Sequence, residues 1–235
     1  MMQGVKAVIF DLDGTLIDSS KGFLAAHHAV SKRLFSHFKS QGIKINDTEI
    51  YSKLVKFDDM MNLKRLYDRD SWWSLFLVDL NVETEFSAKM EKELTSLYWD
   101  NFEDGAESYG DAESTLNYLI RKGYRLGMIT DTDGEKGLKR NRLNRLHLKT
   151  FFEAVVISGE DTPHTKPDPS PFLLVAEKLT ADPRECVMIG DKPFNDIRGG
   201  NVSGMRTILL KSKDWGTEER SDFTIWSLSE LRQIL

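Results

Sequence analysis

Six residues near the start of the chain, Val5-Lys6-Ala7-Val8-Ile9-Phe10, run almost wholly apolar and stop abruptly at Asp11-Leu12-Asp13-Gly14-Thr15. A short β-branched and aromatic run of this kind reads as a buried strand, and the Asp-Gly pair marks a sharp turn at its end. Two carboxylates are thereby delivered to the carboxyl edge of a sheet, where open α/β folds bind their ligands. One carboxylate there can attack an electrophile, and a second one two residues on can pass a proton. Asp-x-Asp-Gly also occurs as an ordinary turn, so its meaning depends on the residues that later segments bring to the same edge.

Beyond Gly110, helices alternate with short apolar strands. Leu116, Leu119 and Ile120 mark a helix stopped by Gly123, and strands are expected at Arg125 to Thr130, Ala154 to Ser158, Cys186 to Ile189 and Thr207 to Leu210. Between them fall helices at Lys136 to Leu146, Phe172 to Leu179 and Asp196 to Val202, with a last one at Ser227 to Leu235 opened by a Ser227/Glu230 capping box. Regular alternation implies an α/β fold with a parallel, doubly wound sheet. Residues 19 to about 104 differ, because apolar positions recur there with helical spacing and strand-like runs are missing. Phe23, Val30, Leu34 and Phe38 line one helix; Ile50, Leu54, Phe57 and Met61 a second; Phe86, Met90, Leu94, Leu97 and Tyr98 another. Trp72, Trp73, Leu75 and Phe76 are expected to begin a further helix with Ser71 as its N-cap. The expected organisation is a core of residues 1–18 and 105–235 with a helical-bundle cap, 19–104, inserted just past the carboxylate loop. A cap placed there can close over a site and exclude water.

With 235 residues and 40% hydrophobic content the chain can fill a real core, and a net charge of −5 argues against nucleic-acid binding, which needs a basic surface. No stretch approaches the roughly 20 apolar residues that span a bilayer, and no secretory segment opens the chain, so a cytoplasmic protein without a membrane partner is expected. Asn46-Asp47-Thr48 and Asn201-Val202-Ser203 are then chance sequons. Cys186 lies in an apolar run and reads as a buried thiol.

Four segments end or follow expected strands in the order acid pair, hydroxyl, lysine, acid pair. They are Asp11 with Asp13; Thr130 after Leu126-Gly127-Met128-Ile129; Lys166 in Thr165-Lys166-Pro167-Asp168-Pro169; and Asp191 with Asp196 in Gly190-Asp191-Lys192-Pro193-Phe194-Asn195-Asp196. Singly each is an ordinary turn, cap or solvated residue; jointly and in this order the set resembles the haloacid dehalogenase superfamily of aspartate-nucleophile hydrolases, in its class with a helical cap after the first motif. The resemblance covers nearly the whole chain and implies a Rossmann-like core.

It further implies a Mg²⁺-dependent phosphate monoester hydrolase acting on a small phosphorylated metabolite. Asp11 would form an aspartyl-phosphate, while Asp11, the backbone carbonyl of Asp13, and Asp191 would hold Mg²⁺. Lys166 would supply a second positive charge and Thr130, with backbone amides that include Asp131's, would bind the phosphoryl oxygens. Asp13 would protonate the leaving alcohol and then activate water, for which its pKa should sit above that of a solvated aspartate. Asp196 would orient Lys166 or metal-bound waters, and Thr15 would support the loop through its hydroxyl.

Asp131 departs from the commonest pattern, which has Asn there; an added carboxylate would weaken phosphate binding unless its side chain turns away. A dehalogenase would lack the second carboxylate, so Asp13 with Asp191 favours phosphate chemistry; a 2-haloacid dehalogenase and a phosphomutase remain alternatives on the same scaffold. A non-catalytic binding protein would be expected to lose one of Asp11, Asp13, Lys166 or Asp191. The cap cations Lys21, Lys53, Lys56, Lys64 and Arg65 are candidates to meet an anionic substrate, and Arg69, in Leu66-Tyr67-Asp68-Arg69-Asp70-Ser71-Trp72-Trp73, is the cap residue of most interest, as a substrate contact or as a partner of Asp68 or Asp70. That segment is similar to one in a mainly archaeal branch of the family. The run Lys136, Lys139, Arg140, Arg142, Arg145 and Lys149 reads as a solvated helix face. The five histidines show no metal-ligand spacing, and His27 and His28 are expected to pack in the first cap helix. A monomer or homodimer is expected, with Trp72-Trp73 either core or a dimer surface.

Overall fold

The computed structural model describes residues 2–216 and 219–235. In chain order its elements are β1 (Ala7–Phe10), β2 (Ile17–Asp18), α1 (Ser20–Ser40), α2 (Asp47–Leu63), α3 (Asp70–Leu80), α4 (Ala88–Gly105), β3 (Glu107–Ser108), α5 (Ala112–Arg121), β4 (Arg125–Asp131), α6 (Leu138–Arg145), β5 (Ala154–Ser158), α7 (Pro169–Lys178), β6 (Cys186–Gly190), α8 (Arg198–Val202), β7 (Arg206–Leu210), β8 (Phe223–Ile225) and α9 (Leu231–Ile234). Two compact units result: Met1–Asp18, Ser108–Thr132 and Lys136–Leu235 form one, and Ser19–Glu107 with Asp133–Glu135 form the other.

The first unit is built on a six-stranded sheet in the order β5-β4-β1-β6-β7-β8, parallel throughout. Every residue of β1 and of β6 is buried, as expected for strands covered on both faces. Phe10 sits level with Met128 on one side and Ile189 on the other, so β1 is flanked by β4 and β6. From β1 the chain adds strands on one side, then returns to add β6 to β8 on the other. The carboxyl ends of β1, β4 and β6 therefore surround the switch point where such sheets hold ligands. One layer of the core beneath them joins Ile9, Ile129, Val156, Phe172, Val175 and Met188. Cys186 lies in the same cluster, and burial pushes its thiol up to about 11.

Strand β8 was not expected from the sequence. Of its three residues only Ile225 is buried, so it carries no apolar run, and it forms because Leu210 of β7 offers it a register partner. The expected short helix near Asp196 is a π-turn at Pro193–Ile197 running into α8. The Ser227/Glu230 capping box is present.

The second unit packs α1 to α4 around an apolar centre in which Val30, Leu34, Phe38, Ile50, Leu54 and Leu94 are all nearly or fully buried. Asn46 and Ser87 cap α2 and α4 by accepting from the N–H groups of Glu49 and Met90. Phe86 lies just before α4 and stacks on Phe38. Helix α3 starts two residues earlier than expected: Arg69 is its N-cap, Ser71 is its second residue, and the Ser71 hydroxyl donates to the Asp68 carbonyl at 2.7 Å. Trp72 and Trp73 are core, with no exposed surface, whereas Leu75 faces solvent.

A polar knot lies inside this apolar centre. Asp58 of α2 receives Tyr98 Oη at 2.6 Å, Asn62 Nδ2 at 2.6 Å and Arg69 Nη2 at 3.3 Å, and shares a hydrogen bond of 2.9 Å with His27 Nε2. Burial pushes the Asp58 carboxyl up, but the Arg69 charge and these bonds outweigh it and bring it down to about 2. The Arg69 guanidinium lies over Trp72, Tyr98 and Trp99 at 3.9–4.6 Å from the ring centres. Its partner is thus Asp58, eleven residues back, and neither Asp68 nor Asp70. Gly134, with φ +97°, belongs to this unit: a Cβ on it would fall 2.3 Å from the Tyr67 carbonyl oxygen. Among the described residues no helix is long and apolar enough to cross a membrane.

Candidate active site

Asp11 follows β1 directly and its N–H donates to the Ile189 carbonyl of β6 at 2.9 Å, which fixes the backbone at the switch point. Lys166, from the segment after β5, reaches it through a fully buried side chain. Lys166 Nζ donates to Asp11 Oδ1 at 2.6 Å and to Asp196 Oδ1 at 2.7 Å, with Asp131 Oδ2 at 3.9 Å. Burial alone would discharge the amine, but the charges of Asp11, Asp196 and Asp131 hold its pKa well above the ordinary value, so it is an ammonium. Asp196, expected to orient Lys166 or metal-bound waters, lies in direct contact with Lys166.

Asp191, just past β6, accepts from Ser212 Oγ at 2.8 Å through Oδ2, while its Oδ1 is buried with no hydrogen-bond partner among the described residues. Gly14 makes room for it: a Cβ there would fall 2.6 Å from Asp191 Oδ2. Asp11, Asp191 and Asp196 each offer an oxygen within 4.8 Å of the others. Burial, with mutual repulsion, raises the carboxyls of Asp11 and Asp191 to about 6 against the pull of Lys166 and Lys192. Three crowded acids and an orphaned carboxylate oxygen fit a hard divalent cation. Of the three, Asp191 has an oxygen to give; both Asp196 oxygens are engaged, by Lys166 Nζ and by the Lys192 N–H at 3.0 Å.

The Asp131 carboxylate is turned to its neighbours. It accepts from the Ser158 hydroxyl, from the Lys166 N–H at 3.1 Å and from Asn195 Nδ2 at 3.2 Å, and so helps place Lys166. Thr130 is buried beside it at the end of β4. The Thr15 hydroxyl makes no hydrogen bond among the described residues; Thr15 supports the turn through its N–H, which donates to the Leu12 carbonyl at 3.2 Å.

Asp13 differs from expectation. Lys139 Nζ donates to its Oδ2 at 2.6 Å and Arg142 Nη2 to its Oδ1 at 2.9 Å. Burial would raise this carboxyl, but the two cations overcome it and hold it below the usual carboxylate range instead of above. The face of α6 carrying Lys139 and Arg142 is accordingly buried, not solvated. Sequence pattern alone could not single out these two from a run of six basic residues, although their i, i+3 spacing places them on one face. Ser212 sits in no motif.

A family model described as haloacid dehalogenase-like hydrolase matches residues 5–204. The chain belongs to this family. Among its relatives, a glyceraldehyde 3-phosphate phosphatase of Pyrococcus furiosus is 27% identical over 100% of this chain and 94% of its own length. A pyrophosphatase PpaX of Bacillus mycoides is 25% identical over 98% of this chain and 97% of its own. The crystal structure of a HAD phosphatase from Thermococcus onnurineus shares 27% identity with a TM-score of 0.67, covering 98% of this chain and 97% of that one. As a haloacid dehalogenase-like hydrolase, this protein carries the acid pair, the lysine and the second acid pair on three loops at one sheet edge, with the threonine on the strand between.

Proposed function

We propose that the protein is a Mg²⁺-dependent phosphate monoester hydrolase that works through an aspartyl-phosphate on Asp11. The observation that carries this is the contact of Asp11 with the Lys166 ammonium at 2.6 Å, beside an Asp191 oxygen that no other group satisfies among the described residues. A carboxylate nucleophile meets an anionic phosphoryl group only if positive charge offsets their repulsion. Asp11, Asp191 and the Asp13 carbonyl would hold Mg²⁺, which supplies charge neutralisation on the phosphoryl oxygens. Lys166 adds its charge from the other side, and Thr130 with the neighbouring backbone amides orients the phosphoryl group.

In the first half-reaction an Asp11 oxygen bonds to phosphorus as the phosphorus–ester oxygen bond breaks, and the departing oxygen takes up a proton from solvent to leave as the alcohol. In the second, water attacks the same phosphorus, the Asp11–phosphorus bond breaks, and inorganic phosphate departs. Asp13 stays a carboxylate beside Lys139 and Arg142, able to accept the proton of that water, although these cations make it a weaker base than the sequence predicts. This second step is the one we assign to it. The substrate is a small phosphorylated metabolite, and its identity rests on the helical unit 19–107; relatives of nearly equal identity act, by their names, on an ester and on an anhydride.

The test is a panel of phosphate monoesters and short 2-haloacids, with Mg²⁺ and with chelator, following phosphate and halide together. Phosphate release that needs metal and is lost in Asp11→Asn supports the assignment. Chelator-insensitive halide release, or full activity in Asp11→Asn, would overturn it.

A further inference from the structure

We propose that Lys139 and Arg142 are positioning residues of the hydrolytic half-reaction, fixing the orientation of the Asp13 carboxylate for the step in which water opens the aspartyl-phosphate. The inference rests on the hydrolase assignment above and extends it to a helix that carries none of the family's four motifs.

Two side chains from one face of α6 converge on a single carboxylate, Lys139 on Oδ2 and Arg142 on Oδ1. Each oxygen has its own donor, so the carboxylate plane cannot turn about its terminal bond without breaking a charged hydrogen bond. Both cations are nearly fully buried, at 3% and 6% exposure. Buried ion pairs are weak evidence for stability, since well-packed apolar side chains of similar volume do as well or better. Arg140, between them in sequence, points elsewhere and pairs with Asp161 at 2.5 Å.

The loop after β1 is thus braced by the helix that follows β4, its neighbour in the sheet. In the assigned step, the water oxygen bonds to phosphorus while the Asp11–phosphorus bond breaks, and the water proton passes to Asp13. A carboxylate swung away by one rotamer misses that proton, whereas attack by Asp11 on the substrate proceeds. Loss of either cation should therefore slow the second half-reaction more than the first.

The experiment compares wild type with Lys139→Met, Arg142→Met, Asp13→Asn, and the double variants that combine Asp13→Asn with each, using Arg140→Ala as control. Readouts are kcat and KM on the best monoester of the panel and the fraction of enzyme trapped as phosphoprotein by rapid acid quench, measured by the added phosphate mass. The expected result is a fall in kcat of roughly 10- to 100-fold in each single variant, a part of the roughly 100- to 10,000-fold that a positioned base supplies. KM should fall along with kcat so that kcat/KM changes little, the trapped phosphoprotein should rise, and Arg140→Ala should match wild type. In the Asp13→Asn background, removal of either cation should lower kcat no further. Should Lys139→Met or Arg142→Met not fold, Lys139→Arg and Arg142→Lys keep the charge and move the donor, and smaller losses of the same pattern are expected. Unchanged kcat and phosphoprotein in the single variants, or losses that multiply in the Asp13→Asn background, would overturn the inference and leave the hydrolase assignment standing. A wild type that releases no phosphate from any monoester would overturn both.

Discussion

Replacing the nucleophile should stabilise the metal-free protein. The Asp11 carboxyl is raised from 3.8 to about 6 by burial, with Asp196 adding to it and Lys166 opposing. At about 1.4 kcal/mol for each tenfold change in proton affinity, the charged form costs the fold about 3 kcal/mol. A raised carboxyl contributes stability that is complete below the ordinary value and is lost as pH climbs through about 6, so the metal-free wild type bears the whole cost at pH 8. In Asp11→Asn the amide carries no charge, its carbonyl still accepts from Lys166 Nζ, and Lys166 keeps Asp196. The variant should therefore gain up to about 3 kcal/mol at pH 8, or about 6–12 °C in Tm at the 2–4 °C per kcal/mol usual for a chain of this size. At pH 4 both proteins are nearly neutral at this position when folded, and the gain should shrink below about 1 kcal/mol. The assay is thermal and urea unfolding of chelator-treated protein by circular dichroism at the two pH values, repeated with excess Mg²⁺, which should narrow the gap. A variant no more stable than wild type at pH 8, or equally favoured at both pH values, would refute the electrostatic account of the site.

Ser212→Ala frees the second oxygen of Asp191, and loss of such an orienting bond should weaken Mg²⁺ binding about 10-fold or more, measured by calorimetry on otherwise intact protein. Arg69→Met strands the Asp58 carboxylate in the helical unit and should cost about 3–5 kcal/mol in urea unfolding, as broken buried pairs do. Gly134→Ala adds a Cβ that would lie 2.3 Å from the Tyr67 carbonyl at a φ of +97°, and should lower stability by about 1–3 kcal/mol in the same assay.

The sheet was legible because strands buried on both faces read as unbroken apolar runs, as β1 and β6 do. The motif residues were legible because each lies at or just beyond a strand end, where chain order restricts the alternatives. What stayed hidden are contacts between side chains distant in sequence. Asp58 and Arg69 both look like surface residues of amphipathic helices, and only packing shows that they neutralise each other among aromatic rings. Lys139 reaches Asp13 across 126 residues, a relation that no periodicity encodes. The same pair of cations reverses the expected direction of the Asp13 pKa, because charge placement outweighs burial there. Strand β8 escaped notice because an edge strand of three residues needs only one apolar side chain.

An inserted unit attached at two junctions can be exchanged among relatives like a cassette, but here residues Asp133–Glu135 also belong to the helical unit while their neighbours on both sides belong to the other. Gly134 is moulded to the backbone at Tyr67 and Asp68, and Asp131, which orders Lys166, lies only two residues before Asp133. A chimera that transplants residues 19–107 alone would leave this tripeptide facing a foreign surface. Transplants should travel with 133–135 as a third piece, and substitutions around Tyr67 should be expected to register in the catalytic loop through a chain of three residues.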